Sequence, residues 1–257
     1  MQAKSMDRTV LCIKWGTLYS ADYVNVLFNA ACANIAGSFR FVCLTDDPEG
    51  LSAQIEHFPI PDIGLDPHHW KGGGWPKLSM FVPDLYGVEG RVLFIDLDMV
   101  IWGALDSFFT WEKGMVMLDH GPWRHHDGVP RPMSSVFAFD AGAHADMLER
   151  FAANRDALMA RYRLEQDFIA GEAGPLAFWP QEWIKSYKNH LRPPLIIDRF
   201  RGPYPPDPSV RILCFHGQPR PIDLVQPPAG NWDVFPHYGH GRVAWMAEYW
   251  QRFGGKI

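Results

Sequence analysis

The spacing of apolar and polar positions predicts a chain that opens β-α-β. Thr9–Lys14 is a short β-branched apolar run and predicts a strand. Ser20 suits a helix cap and Asp22 a first turn. Tyr23, Val24, Leu27, Ala30, Ala31 and Asn34 then recur with a helical period, and Gly37 predicts the stop. Arg40–Thr45 predicts a second strand, closed by the polar Thr45-Asp46-Asp47-Pro48, and Ile55–Ile60 a shorter third. Asp62–Trp75 reads as loop. Pro76 fits the first position of a helix over Lys77–Val82. Arg91–Ile95 is the most strand-like segment and runs into Asp96-Leu97-Asp98. Gly114–Leu118 and Ser135–Asp140 predict further strands. His144–Tyr162 predicts one long helix and Glu165–Ala170 another. From Pro175 onward the pattern predicts mostly loops, with short helices near Gln181–His190 and Arg242–Arg252. Strands alternating with helices favour an α/β fold, with a parallel sheet covered on both faces.

Composition narrows this picture. The 257 residues show no repeat and no linker, so a single domain over 1–257 is the simplest division. With 23 glycines, 22 prolines and 11 tryptophans, long ordered loops on a rigid scaffold are expected. The net charge of −5 argues against a nucleic-acid partner. No apolar run reaches the roughly 18 residues of a transmembrane helix, and no secretory signal is evident, so a cytoplasmic protein is expected. Cys12, Cys32, Cys43 and Cys214 form no CxxC pair and read as buried, reduced thiols.

The candidate chemistry centres on Asp96 and Asp98. Carboxylates at i and i+2 in extended chain point the same way, and at a strand end both can reach one ion. Their hard oxygens suit Mg²⁺ or Mn²⁺. The same residues also fit an ordinary turn. LFIDLDMV is similar, besides, to the nucleophile strand of haloacid-dehalogenase-type phosphatases, in which Asp96 would be the nucleophile. Met99-Val100 stands where that group usually has Gly-Thr or Val-Thr.

A wider set of motifs carries a different resemblance. GRVLFIDLDMVIWGALDSFF resembles the region around the metal-binding DxD of GT-A glycosyltransferases, closest to the retaining, glycogenin-like glycosyltransferase family 8. Lys14-Trp15-Gly16-Thr17-Leu18-Tyr19 and Tyr23 fit the family's nucleotide loop. FRFVCLTDD is similar to its second strand, and Lys77 matches the basic residue ahead of the DxD strand. Ser134-Ser135-Val136-Phe137-Ala138-Phe139 resembles N-S-G-V-M-x-F, and Glu165-Gln166-Asp167 the acidic-Gln pair beside the reacting sugar. Phe215-His216-Gly217-Gln218-Pro219-Arg220-Pro221 resembles H-x-x-G-x-x-K-P-W. It departs from that motif in the spacing of His216 and Gly217, in Arg220 for lysine and in Ile222 for tryptophan.

The resemblance implies a GT-A fold, a mixed and mostly parallel sheet with a donor part over about 9–118. The remainder would supply the acceptor part and a C-terminal metal and diphosphate loop. It implies a metal-dependent transferase, a hexosyltransferase-like enzyme that acts on a nucleotide-sugar with retention. Asp96, Asp98 and His216 would hold Mn²⁺ or Mg²⁺. Trp15, Tyr19, Thr45, Asp46, Lys77, Gly217 and Arg220 would bind the donor. Gln166, with Glu165 and Asp167, would sit at the reacting sugar. The acceptor, whether carbohydrate, lipid or protein, stays open. So does a catalytically silent nucleotide-sugar-binding protein on the same fold. His68-His69 and His125-His126 lack the i, i+4 spacing of a helical zinc site, and adjacent histidines rarely converge on one ion. Gly72-Gly73-Gly74 is followed by no GK[ST], and reads as a close backbone approach or a lid. Trp123 or Trp179 could offer a sugar platform.

Overall fold

The computed structural model describes residues 7–257. Its main sheet has seven strands in the order β3-β2-β1-β4-β7-β6-β8. These are β1 (Arg8–Lys14), β2 (Arg40–Thr45), β3 (Glu56–Phe58), β4 (Arg91–Ile95), β6 (Met115–Asp119), β7 (Pro132–Asp140) and β8 (Leu176–Phe178). Strands β3, β2, β1 and β4 pair in parallel. β7 runs antiparallel to both β4 and β6, and β6 is parallel to β8. The sheet is therefore mixed and mostly parallel, with β7 alone reversed.

Alternation explains why both faces are covered. On β1, Val10 and Cys12 enter one core while Leu11 and Ile13 enter the other. On β4, Leu93 and Ile95 share the first core, Val92 and Phe94 the second. Strands apolar at every position need cover on both sides. Helix α1 (Ala21–Asn34) supplies it on the first face through Tyr23, Val24, Leu27, Ala30 and Ala31. The 3-10 helix Trp75–Phe81, α2 (Ala145–Ala153) and α4 (Glu165–Glu172) supply it on the second.

A second sheet, β5-β10-β9, lies beyond the first core. It joins β5 (Met99–Ile101), β10 (Ile212–Cys214) and β9 (Ile184–Ser186). β10 runs antiparallel to β5 and parallel to β9. Three-residue strands inside a Pro-rich stretch have too little alternation to be read from pattern, so β8 and β10 fall where loops were expected. Short α5 (Pro221–Val225) follows β10, and α6 (Ala244–Arg252) packs Met246, Tyr249 and Trp250 into the first core.

Several other expectations change. The long helix expected over His144–Tyr162 breaks at Asn154 into α2 and α3 (Arg155–Arg161). The first piece buries Met147, Leu148 and Phe151, whereas the second rests only the partly buried Leu158 and Met159 against the same core. The helix expected near Gln181–His190 is instead β9 followed by the single π turn Tyr187–Leu191. Ser20 occupies the helix cap without a side-chain hydrogen bond. All four cysteines are free, but Cys32 on α1 is exposed rather than buried. Among the described residues no helix is long and apolar enough to cross a membrane.

Candidate active site

The C-terminal ends of β1 and β4 open into a cleft of about 840 Å³. This is where a parallel sheet places its functional loops. Trp15, Tyr19, Lys77, Asp96, Asp98, Glu165, Gln166 and Arg220 all line it. Residues 151 positions apart, Trp15 and Gln166, thus share one wall system with the two aspartates.

At the floor, Lys77 is the hub. It is buried, and its Nζ lies 2.8 Å from Asp96 Oδ2 and 3.5 Å from Glu165 Oε1. It also donates to the Ser134 carbonyl and hydroxyl, both at 3.3 Å. Ser134 Oγ in turn donates a short hydrogen bond to Glu165 Oε1. Burial alone would lower the Lys77 pKa, but Asp96 and Glu165 outweigh it and hold the ammonium charged. The Asp96 main chain is pinned by its N–H to the Ser135 carbonyl at 2.9 Å, extending the β4–β7 ladder by one step.

Asp98 sits on the other side of Leu97. Tyr19 OH donates to its Oδ2 at 3.1 Å, and the Arg220 guanidinium lies 5.6 Å from the Tyr19 ring centre. Burial, and then the neighbouring Asp96 charge, push the Asp98 carboxyl up to about 7. Burial likewise raises Asp96, against the pull of Lys77. Three carboxylates therefore crowd one buried ammonium. Such a floor is short of positive charge, and its free donors next to Tyr19 are hard oxygens. Asp96 and Asp98 fit a divalent cation of the Mg²⁺ or Mn²⁺ type on that chemistry.

The glycine triplet is explained by packing. Gly74 has φ +70°, and a Cβ there would collide with the Glu165 carboxylate. Gly73 accepts the Glu165 N–H at its carbonyl, 2.9 Å away. The triplet brings its main chain against the start of α4, as a close approach, and so seats Glu165 beside Lys77.

Other expected residues lie elsewhere. Asp46 Oδ2 accepts the Gly16 N–H at 2.9 Å and so braces the β1–α1 loop from behind. Thr45 Oγ1 accepts the Asp47 N–H at 3.1 Å and is buried in its own turn. Neither lines the cleft, and nor do Asp167 or Gly217. Asp106, later in the same GRVLFIDLDMVIWGALDSFF stretch, binds Arg8 Nη1 at 3.0 Å and the Ala36 N–H at 3.1 Å, a structural clasp between β1 and the end of α1. Trp179 is buried, with its Nε1 on the Val136 carbonyl, and presents no platform. Trp123 is only partly buried, and its ring packs on His216.

His216 lies farthest from its expected place. Its Nε2 is 2.8 Å from Ser186 Oγ on β9, and its ring stacks on Trp123 with centroids 5.9 Å apart. It does not line the cleft. Among the described residues, Asp96, Asp98 and His216 do not gather ligand atoms within 4.8 Å of one another. Pairing in the small sheet gives the reason. The last residue of β10, Cys214, registers with Met99, one step past Asp98. It is the buried Cys214 thiol that feels Asp98, Asp96 and Ser135. The chain then passes Phe215, which stacks on Tyr187, and carries His216 away toward β9. Arg220, at the start of α5, returns to the cleft. Cys214 escaped the sequence reading because a lone cysteine in a short apolar run has no signal of its own.

The comparisons with known proteins bear on the fold. No family model matches the chain, and no curated protein matches it. Solved structures do. The galactosyltransferase LgtC, in complex with donor and acceptor sugar analogs, matches over 95% of this chain and 94% of its own, with TM-score 0.59 and 13% identity. The glycosyltransferase GlyE of Streptococcus pneumoniae TIGR4 matches over 96% of this chain and 62% of its own, with TM-score 0.57 and 13% identity. The bifunctional glycosyltransferase WbbM matches over 86% of this chain, which spans 48% of that protein, with TM-score 0.58 and 14% identity. At such identities the likeness is one of fold, and the fold of this chain is the GT-A fold of glycosyltransferases.

Proposed function

We propose that this chain is a metal-dependent glycosyltransferase that takes a hexosyl group from a nucleotide-sugar and transfers it with retention. The observation that carries the reading is the charge imbalance at the cleft floor, where Asp96, Asp98 and Glu165 meet the single buried ammonium of Lys77. Asp96 and Asp98 would hold Mn²⁺ or Mg²⁺, which when bound neutralises charge on the departing diphosphate. The likeness of the fold to glycosyltransferase structures supports this reading over a phosphatase.

The chain's own residues take the remaining roles. Trp15 is fixed by its Nε1 on the Trp70 carbonyl, 3.0 Å away, and offers a face to the nucleoside. Tyr19 bridges the nucleoside side of the cleft to Asp98. Arg220 presents a planar fork to diphosphate oxygens, a geometry suited to phosphate. Lys77 pulls against the effect of burial on Asp96 and orients its carboxylate. Glu165 is committed to Lys77 and Ser134, so it positions rather than attacks. Gln166, next along α4, turns into the cleft and is the side chain we assign to the face of the reacting sugar. We leave His216 out of the ion site, because Ser186 and Trp123 already engage it. Four free thiols are in keeping with a cytoplasmic setting. The acceptor is not assigned.

The test is a panel of nucleotide-sugars with and without Mn²⁺, read by thermal shift and by release of the nucleotide diphosphate. Expected is a metal-dependent stabilisation by one base class, with turnover, both lost in Asp98→Ala. Binding without turnover on any acceptor would make the chain a silent binder. Absence of any nucleotide-dependent shift would end the proposal.

A further inference from the structure

We propose that Asp66, His68 and His69 form a second metal site, of the Zn²⁺ class, on the rim of the cleft. This goes beyond the donor reading and does not depend on it. Sequence spacing alone argues against the site, because neighbouring histidines rarely meet at one ion. The backbone here overrides that expectation. Pro67 starts the 3-10 helix Pro67–Lys71 and Asp66 caps it. The tight turn brings the two imidazoles together with their centroids 3.8 Å apart and folds the Asp66 side chain back over them. One ligand atom from each of Asp66, His68 and His69 lies within 4.8 Å of the other two. Among the described residues no other trio of His, Cys, Asp or Glu does so.

The donor set decides the ion. Two imidazoles and one carboxylate suit Zn²⁺, Co²⁺ or Ni²⁺, whereas the all-oxygen pair Asp96 and Asp98 suits Mg²⁺ or Mn²⁺. Three protein ligands leave a position open for water or an anionic ligand. His69 Nδ1 accepts the Asp66 N–H at 3.1 Å, so that nitrogen carries a lone pair rather than a proton. An ion taking this lone pair replaces one main-chain hydrogen bond. The competing cation is Arg155, whose Nη2 is 3.7 Å from Asp66 Oδ2 and whose Nη1 is already held by the Gly64 carbonyl. The next residues, Trp70 and Lys71, line the cleft, and Trp15 hangs on the Trp70 carbonyl. Occupancy would therefore fix the rim from which Trp15 hangs.

The experiment titrates Zn²⁺, by calorimetry, and Co²⁺, by its visible d–d absorption, into the full chain in excess Mg²⁺. Magnesium competes at the oxygen-only aspartates but not at imidazoles. Wild type is expected to bind one Zn²⁺, and bound Co²⁺ to show an imidazole-perturbed band. The double substitution His68→Gln and His69→Gln removes two of three ligands and is expected to weaken Zn²⁺ by about 100-fold or more and abolish the band. Both histidines lie at the surface end of the turn, and a matching circular dichroism spectrum would verify that the variant is folded. Unchanged Zn²⁺ affinity in that variant, or no saturable binding by wild type, would overturn the site.

Discussion

At the cleft floor Lys77 is buried with its charge kept, whereas beside β9 the half-buried His216 has its charge given up. The two clusters are joined by β10 and built from similar polar material. Lys77 has Asp96 and Glu165 within 3.5 Å and Ser134 as a hydrogen-bond partner. His216 has the Ser186 hydroxyl, the Trp123 ring and a surround of cations. Burial, then Lys188, Arg124, His120 and Arg192, pull its pKa down to about 4. Even Lys188 donates to the His216 carbonyl at 2.7 Å rather than to a carboxylate. A buried charge survives only beside its opposite, and a buried imidazole without a carboxylate is neutral. The difference separates an electrostatic site able to meet a charged ligand from a structural one.

Removing the charge of Lys77 is the strongest way to break the contrast. Lys77→Met leaves Asp96 and Glu165 unpaired and is expected to cost about 3–5 kcal/mol, measured by urea unfolding. A loss below about 1 kcal/mol would mean that the network is not what holds the floor. The His216 side of the contrast has a pH signature. With its folded pKa depressed to about 4, the unfolded chain binds the proton first as pH falls. The stability contribution is complete above about pH 6.5 and drains between there and pH 4. Roughly 1–3 kcal/mol is expected, allowing for partial exposure of the ring. His216→Gln should flatten that slope while leaving a Mn²⁺-dependent thermal shift intact. If the shift disappears with the ring, His216 reaches the ion after all and the two clusters are one.

Arg220 tests whether the charged region extends to the ligand. Arg220→Ala is expected to weaken nucleoside-diphosphate binding about 10-fold, or about 1.4 kcal/mol, in a calorimetric titration. Equal binding by the variant would confine the site to the floor. The smallest effect is expected at the surface. Asp127 pairs with Arg131 at 2.7 Å on the surface, and the pair holds its carboxyl below the usual range. Water already solvates both groups, so Asp127→Ala should leave the thermal midpoint unchanged.

The strands β1, β2 and β4 of the main sheet were legible as apolar runs, whereas β8, inside the Pro- and aromatic-rich stretch, was not. Arg40–Thr45 and Arg91–Ile95 appear with the expected bounds, and β1 differs by one residue. The place of Asp96 and Asp98 in the cleft was legible because the sequence sets them at a strand's end. Lys77 was legible only through resemblance, since one lysine on a short helix has no pattern. The break at Asn154 was not legible, because the apolar positions of α2 and the mixed positions of α3 share one helical phase. The two histidine groups are placed differently from what their spacing suggests: His216 engages Ser186 and Trp123 outside the cleft, while His68 and His69 lie together beside Asp66.

The sequence by itself determined the local elements, the order β-α-β and the carboxylates at the end of β4. Neighbouring residues set those features, through side-chain period and turn chemistry. Only the tertiary structure decided which side chains meet. Lys77 and Glu165 are brought together across 88 positions by the Gly74 approach, and Cys214 rather than His216 faces the aspartates because of the β5–β10 register. Such meetings depend on how sheets and loops pack at long range, and no local pattern encodes a distance.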